Sequence, residues 1–379
     1  MQDIRYHSVQ PMNKKSTYTD FDNVDFLISA VGRKVVGNSI RIVGNVTVYP
    51  EGTTSQLSET VSYDGLTGSH SWFSSIVTSC STVGQIENLN FYPHMVASMA
   101  RASVARETLF NSQYTVENRV PDSRMSDILL KGTTFGAGTN YDATLTRPMD
   151  FAVKLNFCLN NFLAGTDSNI AYAKTGDITV SLIVARSVSV LFGTSTNNIG
   201  VDRNITLSNL RLIFTSVADD GKYPSAYQMR VASSLKQSLQ SSYANISTLA
   251  PLVSDSFYMV FVPQSEDNSA VANGLACYRP YNISRVEYLW QDTFNAEYTY
   301  AIINEEEMLT MGIKAVNKVV GDNMASLNIL SANDGFILGM PFGNYVDLRQ
   351  NKISVNIESG ISSGNPITCY MFFSGVVSV

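Results

Sequence analysis

Alternation is the strongest constraint this chain carries. In "SIRIVGNVTVYP", Ile40, Ile42, Val46 and Val48 fall on one side of an extended backbone, and Arg41, Asn45 and Thr47 on the other. A period of two marks a strand with one face toward a core, because successive side chains leave opposite faces of the pleat. "MDFAVKLNFCL" repeats the pattern with Phe151, Val153, Leu155, Phe157 and Leu159, and "GDITVSLIVAR" with Ile178, Val180, Leu182 and Val184. "NITLSNLRLIF" begins on Ile205 and Leu207, then resumes one residue out of phase at Leu210, Leu212 and Phe214. A β-bulge near Ser208-Asn209 restores the inward face. "SFYMVFV", "KISVNIES" and "ITCYMFF" continue the series toward the C-terminus.

Only two stretches have helical spacing. "YPHMVASMARASVARETLF" opens with Pro93 near its first turn, where a missing amide costs nothing, and carries Met95, Met99 and Ala102 on one face. "NEEEMLTMGIKAVNKVV" offers Asn304 as N-cap and three carboxylates at the positive end of the helix dipole. Its apolar face is Met308, Leu309, Gly312, Ala315, Val316 and Val319.

The order of elements occurs twice. Strands, a helix near 93–108 and strands at 149–159, 177–185 and 205–216 fill the first half. Strands near 255–262, 283–290 and 297–302, a helix near 305–319, and strands at 335–340, 352–358 and 367–373 fill the second. With 379 residues the chain suits two domains better than one. The reading is an N-terminal arm at 1–24, a first β domain at 25–220, a Ser/Gln-rich linker at 221–247 and a second β domain at 248–379. Polar insertions at 107–147, 186–204 and 263–281 are surface excursions, where recognition tends to reside.

Composition narrows the function. Charged residues are 15% of the chain, below the usual figure of about 25%, and the net charge is -6. The basic pairs Lys14-Lys15 and Arg33-Lys34 are not part of any longer basic run, which excludes an arm that coats nucleic acid. The first fifteen residues lack the apolar stretch of a signal peptide, and apolar runs such as Phe257 to Val262 are far too short to span a bilayer. Cys80, Cys158, Cys277 and Cys369 lie 78 or more residues apart and read as buried free thiols. The sequons at Asn45, Asn204, Asn245 and Asn282 read as unglycosylated.

Candidate chemistry is thin. "YDGLTGSHSWFSSIVTS" sets His70 between Ser69 and Ser71, and "GISSG" at 360–364 matches the pattern of a nucleophile elbow on Ser362. An elbow needs a strand–turn–helix and partners that follow in the chain. Here Asn365-Pro366 and another strand follow, and no Asp, Glu or His occurs after Ser362. His7 and His94 are scattered, the histidines and cysteines have no zinc spacing, and "GAGTNY" at 136–141 lacks the third glycine of a dinucleotide loop. The expectation is no catalytic residue, no cofactor and no metal. His70 reads as a satisfied or partly exposed residue at the start of a strand. That strand, with Trp72 and Phe73 facing opposite ways, is covered on both sides or sits at a domain or subunit contact.

"GSHSWFSSIVTSCSTVGQIENLNFYPHMVASMA" resembles the early strands of double jelly-roll major capsid proteins of tailless icosahedral DNA viruses, the tectivirus, adenovirus, virophage and polinton-like lineage. Gly68, Ser71, Phe73, Ile76, Gly84, Ile86, Glu87, Tyr92, Val96 and Met99 carry the resemblance. "ITLSNLRLIFTSV" is similar to the strand closing the first roll, and "GFILGMPFGNYVDLRQNKISVNIES" to late strands of the second. The resemblance implies an all-β fold of two tandem eight-stranded jelly rolls with short helices in the loops. It implies a non-enzymatic shell protein located in the virion and assembled in the host cell. The chain would associate as a homotrimer, a pseudo-hexameric capsomer. Partners would be neighbouring capsomers, penton and minor capsid proteins and an internal membrane reached by the N-terminal arm, with no sequence-specific nucleic acid. The trimer contact is expected at Trp72/Phe73 and at "RVEYLWQDTF", with Tyr288, Leu289, Trp290 and Phe294.

Two rivals predict different features. A coat protein of a small RNA virus would usually carry a basic disordered arm. A double β-sandwich enzyme, or a glycan-binding or adhesive module, would cluster carboxylates or aromatics on one loop face and carry an export signal. Neither set of features is visible in the sequence.

Overall fold

The computed structural model describes residues 3–50, 61–103, 117–119, 149–163, 165–193, 203–269, 272–291, 296–320 and 336–379. "GAGTNY", Phe294 and most of the 107–147 insertion lie outside them.

The first half contains β1 (Arg5–Val9), β2 (Thr17–Tyr18), β3 (Asn23–Ile28), β4 (Arg33–Val36), β5 (Arg41–Pro50), β6 (Val61–Tyr63), β7 (Phe73–Cys80) and β8 (Gly84–Leu89). Helix α1 (Tyr92–Ser103) follows, then β9 (Met149–Val153), β10 (Asn169–Ala171), β11 (Ile178–Val184), β12 (Leu191–Gly193) and β13 (Arg203–Ala218). The second half contains β14 (Gln228–Leu239), β15 (Tyr243–Thr248), β16 (Val253–Pro263), β17 (Arg285–Gln291) and β18 (Glu297–Ile302). Helix α2 (Glu305–Val320), β19 (Ile337–Asp347), β20 (Ile353–Glu358) and β21 (Ile367–Ser378) complete it.

The second half is the simpler one. One sheet runs β14-β21-β16-β19 and the other β15-β20-β17-β18. Consecutive strands hop between sheets except for β17 and β18, which pair as a hairpin in one sheet, and the eight strands close into a jelly roll. β20 turns alternate residues inward, with Ile353, Val355 and Ile357 buried, whereas the central strands β16 and β21 are buried on both faces. The first half follows the same plan with broken strands. β3-β11-β7-β8 matches β15-β20-β17-β18. In the other sheet Ser216 pairs with both Arg5 and Val35, so β1 and β4 flank β13 on opposite sides. β4 and β5 together pair along one side of β13, while β1 and β2 pair along the other. β9 and β10 lie beyond β5 and β4.

This arrangement corrects two expected boundaries. Residues 1–24, expected as an arm off the framework, supply the edge strand of the first roll. Its alternation is hidden because Pro11 and its neighbours interrupt it, and because most of β1 faces solvent. Residues 221–247, expected as a linker, contain β14 and most of β15. β14 pairs with β21 from Gln228↔Ser378 to Leu239↔Ile367. Its Ser, Lys and Gln residues populate a half-exposed strand, so composition gives a false linker signal. The passage between the rolls is only 219–227.

Other expectations hold. β13 shifts register between Ser208 and Arg211, the bulge that the phase slip predicts. Helix α2 starts at its expected cap, with Asn304 Oδ1 accepting the Glu306 amide at 2.8 Å and the Glu307 amide at 3.3 Å. All four cysteines are buried and free. The "MDFAVKLNFCL" strand ends early, at Val153, and Cys158–Asn160 forms a 3-10 turn. Leu155, Phe157 and Leu159 stay buried beyond its end.

Candidate functional site

His70 hydrogen-bonds to neither of its flanking serines. It sits in a 3-10 turn, Gly68–Trp72, that precedes β7, and only 2% of it is exposed. Its Nδ1 lies 2.7 Å from the Tyr92 hydroxyl and its Nε2 3.3 Å from Glu117 Oε2. The Ser69 hydroxyl instead accepts from Asn118, and the Ser71 hydroxyl donates to the Gly68 carbonyl. Burial and the nearby Arg119 push the imidazole below its ordinary value. Ser362 lies in the loop between β20 and β21, bridged to Asn365, so the elbow reading fails for want of a helix. Among the described residues no cluster of three or more His, Cys, Asp or Glu is arranged to hold a metal.

The unusual chemistry lies between the rolls. Glu87, at the inner face of β8, is 4% exposed. Its Oε2 accepts the Cys158 amide and its Oε1 the Ala232 amide, each at 2.8 Å. One carboxylate thus clasps backbone from both halves, and burial raises its pKa to about 7 against the pull of those amides. Nearby, β14 turns its second edge to the first roll. The Arg230 amide donates to the Asn161 carbonyl at 2.8 Å, the Leu163 amide to Gln228 at 3.2 Å, and Ser234 bonds both backbone groups of Asn90.

Higher on the seam, Asp64 is fully buried and meets Arg101 at 2.6 Å and Asn273 of the second roll at 2.7 Å. Burial would raise this carboxyl, but Arg101 and its hydrogen bonds hold it below the usual value. His94 stacks on Tyr370 of β21 with centroids 3.8 Å apart, and burial lowers its pKa to about 4. Tyr370 in turn donates to Asp267 at 2.7 Å, which also pairs with Lys236. The seam is therefore a fixed joint, closed by directional bonds that a sliding contact would break.

Trp72 and Phe73, expected at a subunit contact, are fully buried inside the first roll. Trp72 packs on Tyr63 and Phe73 on Phe151; the strand is covered on both sides by its own chain. Tyr288 is likewise interior. Trp290 is half-buried, stacked on Tyr298 at 5.3 Å and tilted against Phe342.

The uncovered aromatics lie one strand further on. β8 and β18 hold the same place in their sheets, yet β8 buries Ile86, Glu87 and Leu89 while β18 is exposed from Glu297 to Ala301. The difference is the neighbour: β14 lies over β8, whereas among the described residues no strand of the other roll lies over β18. Tyr298 and Tyr300 are a little over a third exposed, the first stacked on Trp290 and the second donating to Glu307, and Ile303 is 78% exposed. At the other extreme of the chain, Ile4 and Tyr6 are exposed at β1, the counterpart of β14.

Known structures share this fold. The Faustovirus major capsid protein superposes with a TM-score of 0.62 at 10% identity, covering 100% of this chain and 90% of that one. The double jelly roll is its fold. A quasi-atomic model of the PBCV-1 virus capsid gives 0.57 at 9% identity over 100% and 95% of the two chains. The mavirus major capsid protein gives 0.51 at 9% identity over 99% and 90%. No protein-family model and no curated protein sequence matches. The double jelly-roll fold is thus shared over nearly the whole chain at a sequence identity of about a tenth. The seam of Glu87, Asp64 and His94 is the joint between its two rolls.

Proposed function

We propose that the protein is a viral major capsid protein that assembles as a homotrimer, so that six rolls form a pseudo-hexameric capsomer of an icosahedral shell. The carrying observation is the unequal cover of β8 and β18. Within the chain, the second roll's β14 closes the first roll's β8. If the same operation repeats between chains, the next copy's β1 closes β18. Tyr298, Tyr300 and Ile303 would then meet Ile4 and Tyr6. Such an interface is heterologous, and a heterologous contact must close into a ring to give a discrete particle. Three chains carry six rolls around that ring.

In this reading the protein acts as architecture and not as a catalyst, and it resides in the virion. The strand ends that carry both termini would form one end of the capsomer, nearest minor proteins or an underlying membrane. The loops at 240–242, 264–284 and 359–366 crowd the opposite, outward end. Penton proteins would meet the capsomer at its flanks. The test is mass photometry of the purified protein with Ile303→Asp and Tyr300→Asp variants. The wild type should run at three times the 41.5 kDa chain mass, and the variants as folded monomers, because a buried charge in that contact would lack a partner. A wild type that stays monomeric at high concentration defeats the trimer.

A further inference from the structure

The two rolls differ at one place along otherwise equivalent strands. β14 pairs with β21 over its whole length without a break in register. In the first roll the corresponding edge is cut: β1 leaves β13 at Val9, residues 10–16 swing out, and β2 returns at Thr17. Beside that gap β13 is bulged, with Asn209 at φ 52°. Lys14, within the excursion, sits at φ 43°, a left-handed conformation that lysine rarely adopts. Between the excursion and the bulge opens a cleft of about 170 Å³, lined by Gln10, Lys14, Lys15, Ser16, Tyr18 and Arg211 among others.

We propose that this cleft is a binding site for a phosphate group. Three cations line it and no carboxylate does, in a chain whose net charge is -6. Lys15 pairs with Asp22 at 2.6 Å, whereas Lys14 and Arg211 have no ion pair among the described residues. Asp22 and Asp25 both act on Tyr18, so the local balance is about one positive charge, with two cations left to meet an incoming phosphate oxygen. Tyr18 and Leu210 form a buried floor, so charges at the cleft are less screened than on open surface. Arg211 supplies a planar fork suited to two phosphate oxygens, and Ser16 and Gln10 add neutral donors. All the lining residues come from one chain, on the edge that the proposed trimer sets against the next copy's β18. Among the described residues, the equivalent edge of the second roll, β14, has no such break.

The phosphate can belong to a small free anion or to a lipid headgroup, and two arms separate these. In the first, full-length protein is titrated with inorganic phosphate by calorimetry at low ionic strength. In the second, it is mixed with phosphatidylcholine vesicles containing phosphatidic acid or, at matched charge, phosphatidylserine. Saturable binding of one inorganic phosphate per chain assigns the free anion. Binding to phosphatidic acid vesicles alone assigns the lipid monoester. In either case Arg211→Glu and Lys14→Glu should each weaken binding by roughly tenfold or more, while Lys352→Glu, on the second roll, leaves it unchanged. Lys14→Gly removes the cation and relieves the left-handed backbone, so it should fold well and still lose binding. No response in either arm, equal response to both anionic lipids, or binding that survives the Lys14 and Arg211 changes overturns the proposal.

Discussion

Glu87 shows how one residue can set the behaviour of a joint. Its carboxyl is raised to about 7 by burial, against an ordinary value near 4.3 in an unfolded chain. Between those values the folded protein holds a proton that the unfolded chain has released, so folding is favoured by acid there. Stability from this group therefore falls as pH rises from about 4.5 to 7, by roughly 3 kcal/mol in all. His94 works the other way: its pKa, lowered to about 4, makes stability fall as pH drops below about 6.5. Thermal unfolding across pH 5 to 8 should separate them. Glu87→Gln should flatten the wild-type loss on the alkaline side, leaving the His94 slope visible. It should also cost about 1–3 kcal/mol at pH 5, because its NH2 cannot accept from one of the two amides. A wild type and variant with parallel pH profiles would show that Glu87 does not titrate in this range. Asp64 makes a different prediction. Asp64→Asn removes the buried carboxylate charge that Arg101 meets at 2.6 Å, and denaturant titration should show a loss of about 3–5 kcal/mol.

At the scale of elements, helix α2 is fixed at both its start and its middle. Asn304 accepts two amides of the first turn, so Asn304→Ala should destabilise the protein by about 1 kcal/mol. Gly312 is tighter: a Cβ there would lie 2.2 Å from the Ile337 carbonyl oxygen of β19. Gly312→Ala should therefore cost more than the cap, although alanine is the better helix former, and urea midpoints of the two variants rank them. The cap and the apolar face of α2 were legible in the sequence because both are local. So were the inward-facing strands and the Ser208-Asn209 bulge, where period two meets a buried face. β14 was not legible, since its second edge is satisfied by Asn161, Leu163 and Glu87 rather than by an apolar pattern. Nor was the seam: Glu87, Asp64 and His94 are joined to Ala232, Asn273 and Tyr370 across more than a hundred residues of chain. Glu87 was visible only through its place in a family-like motif, and nothing local announced its partners. Trp72 misled because adjacent large aromatics look alike whether their cover comes from the same chain or another.

For the whole molecule, the decisive question is what the first eighteen residues do. As a tether they could be removed without harm to either roll. As the edge strand of the first roll they cannot. β1 pairs with Leu212 to Ser216 of β13 and β2 with Leu207 and Ser208. Arg33, largely buried, also binds Asp3 at 2.7 Å while holding Ser216. Deletion of residues 1–18 would uncover one side of β13, take Tyr18 out of the core and leave Arg33 without its carboxylate. Net hydrogen-bond worth of about 1 kcal/mol each, less the entropy of ordering the segment, sums to roughly 2–4 kcal/mol. For a domain of this size that lowers the melting temperature by about 5–15 °C. The exposed side of β13 would also become an unpaired edge, prone to join other chains. The truncated protein should therefore melt earlier and scatter light as irregular aggregates, in place of a discrete oligomer. Unchanged melting with only the oligomer lost would restore the tether reading. The expected pair of losses would instead tie fold and the proposed assembly to the same strand, since β1 closes its own sheet on one side and, in the proposed trimer, would face the next copy's β18 on the other.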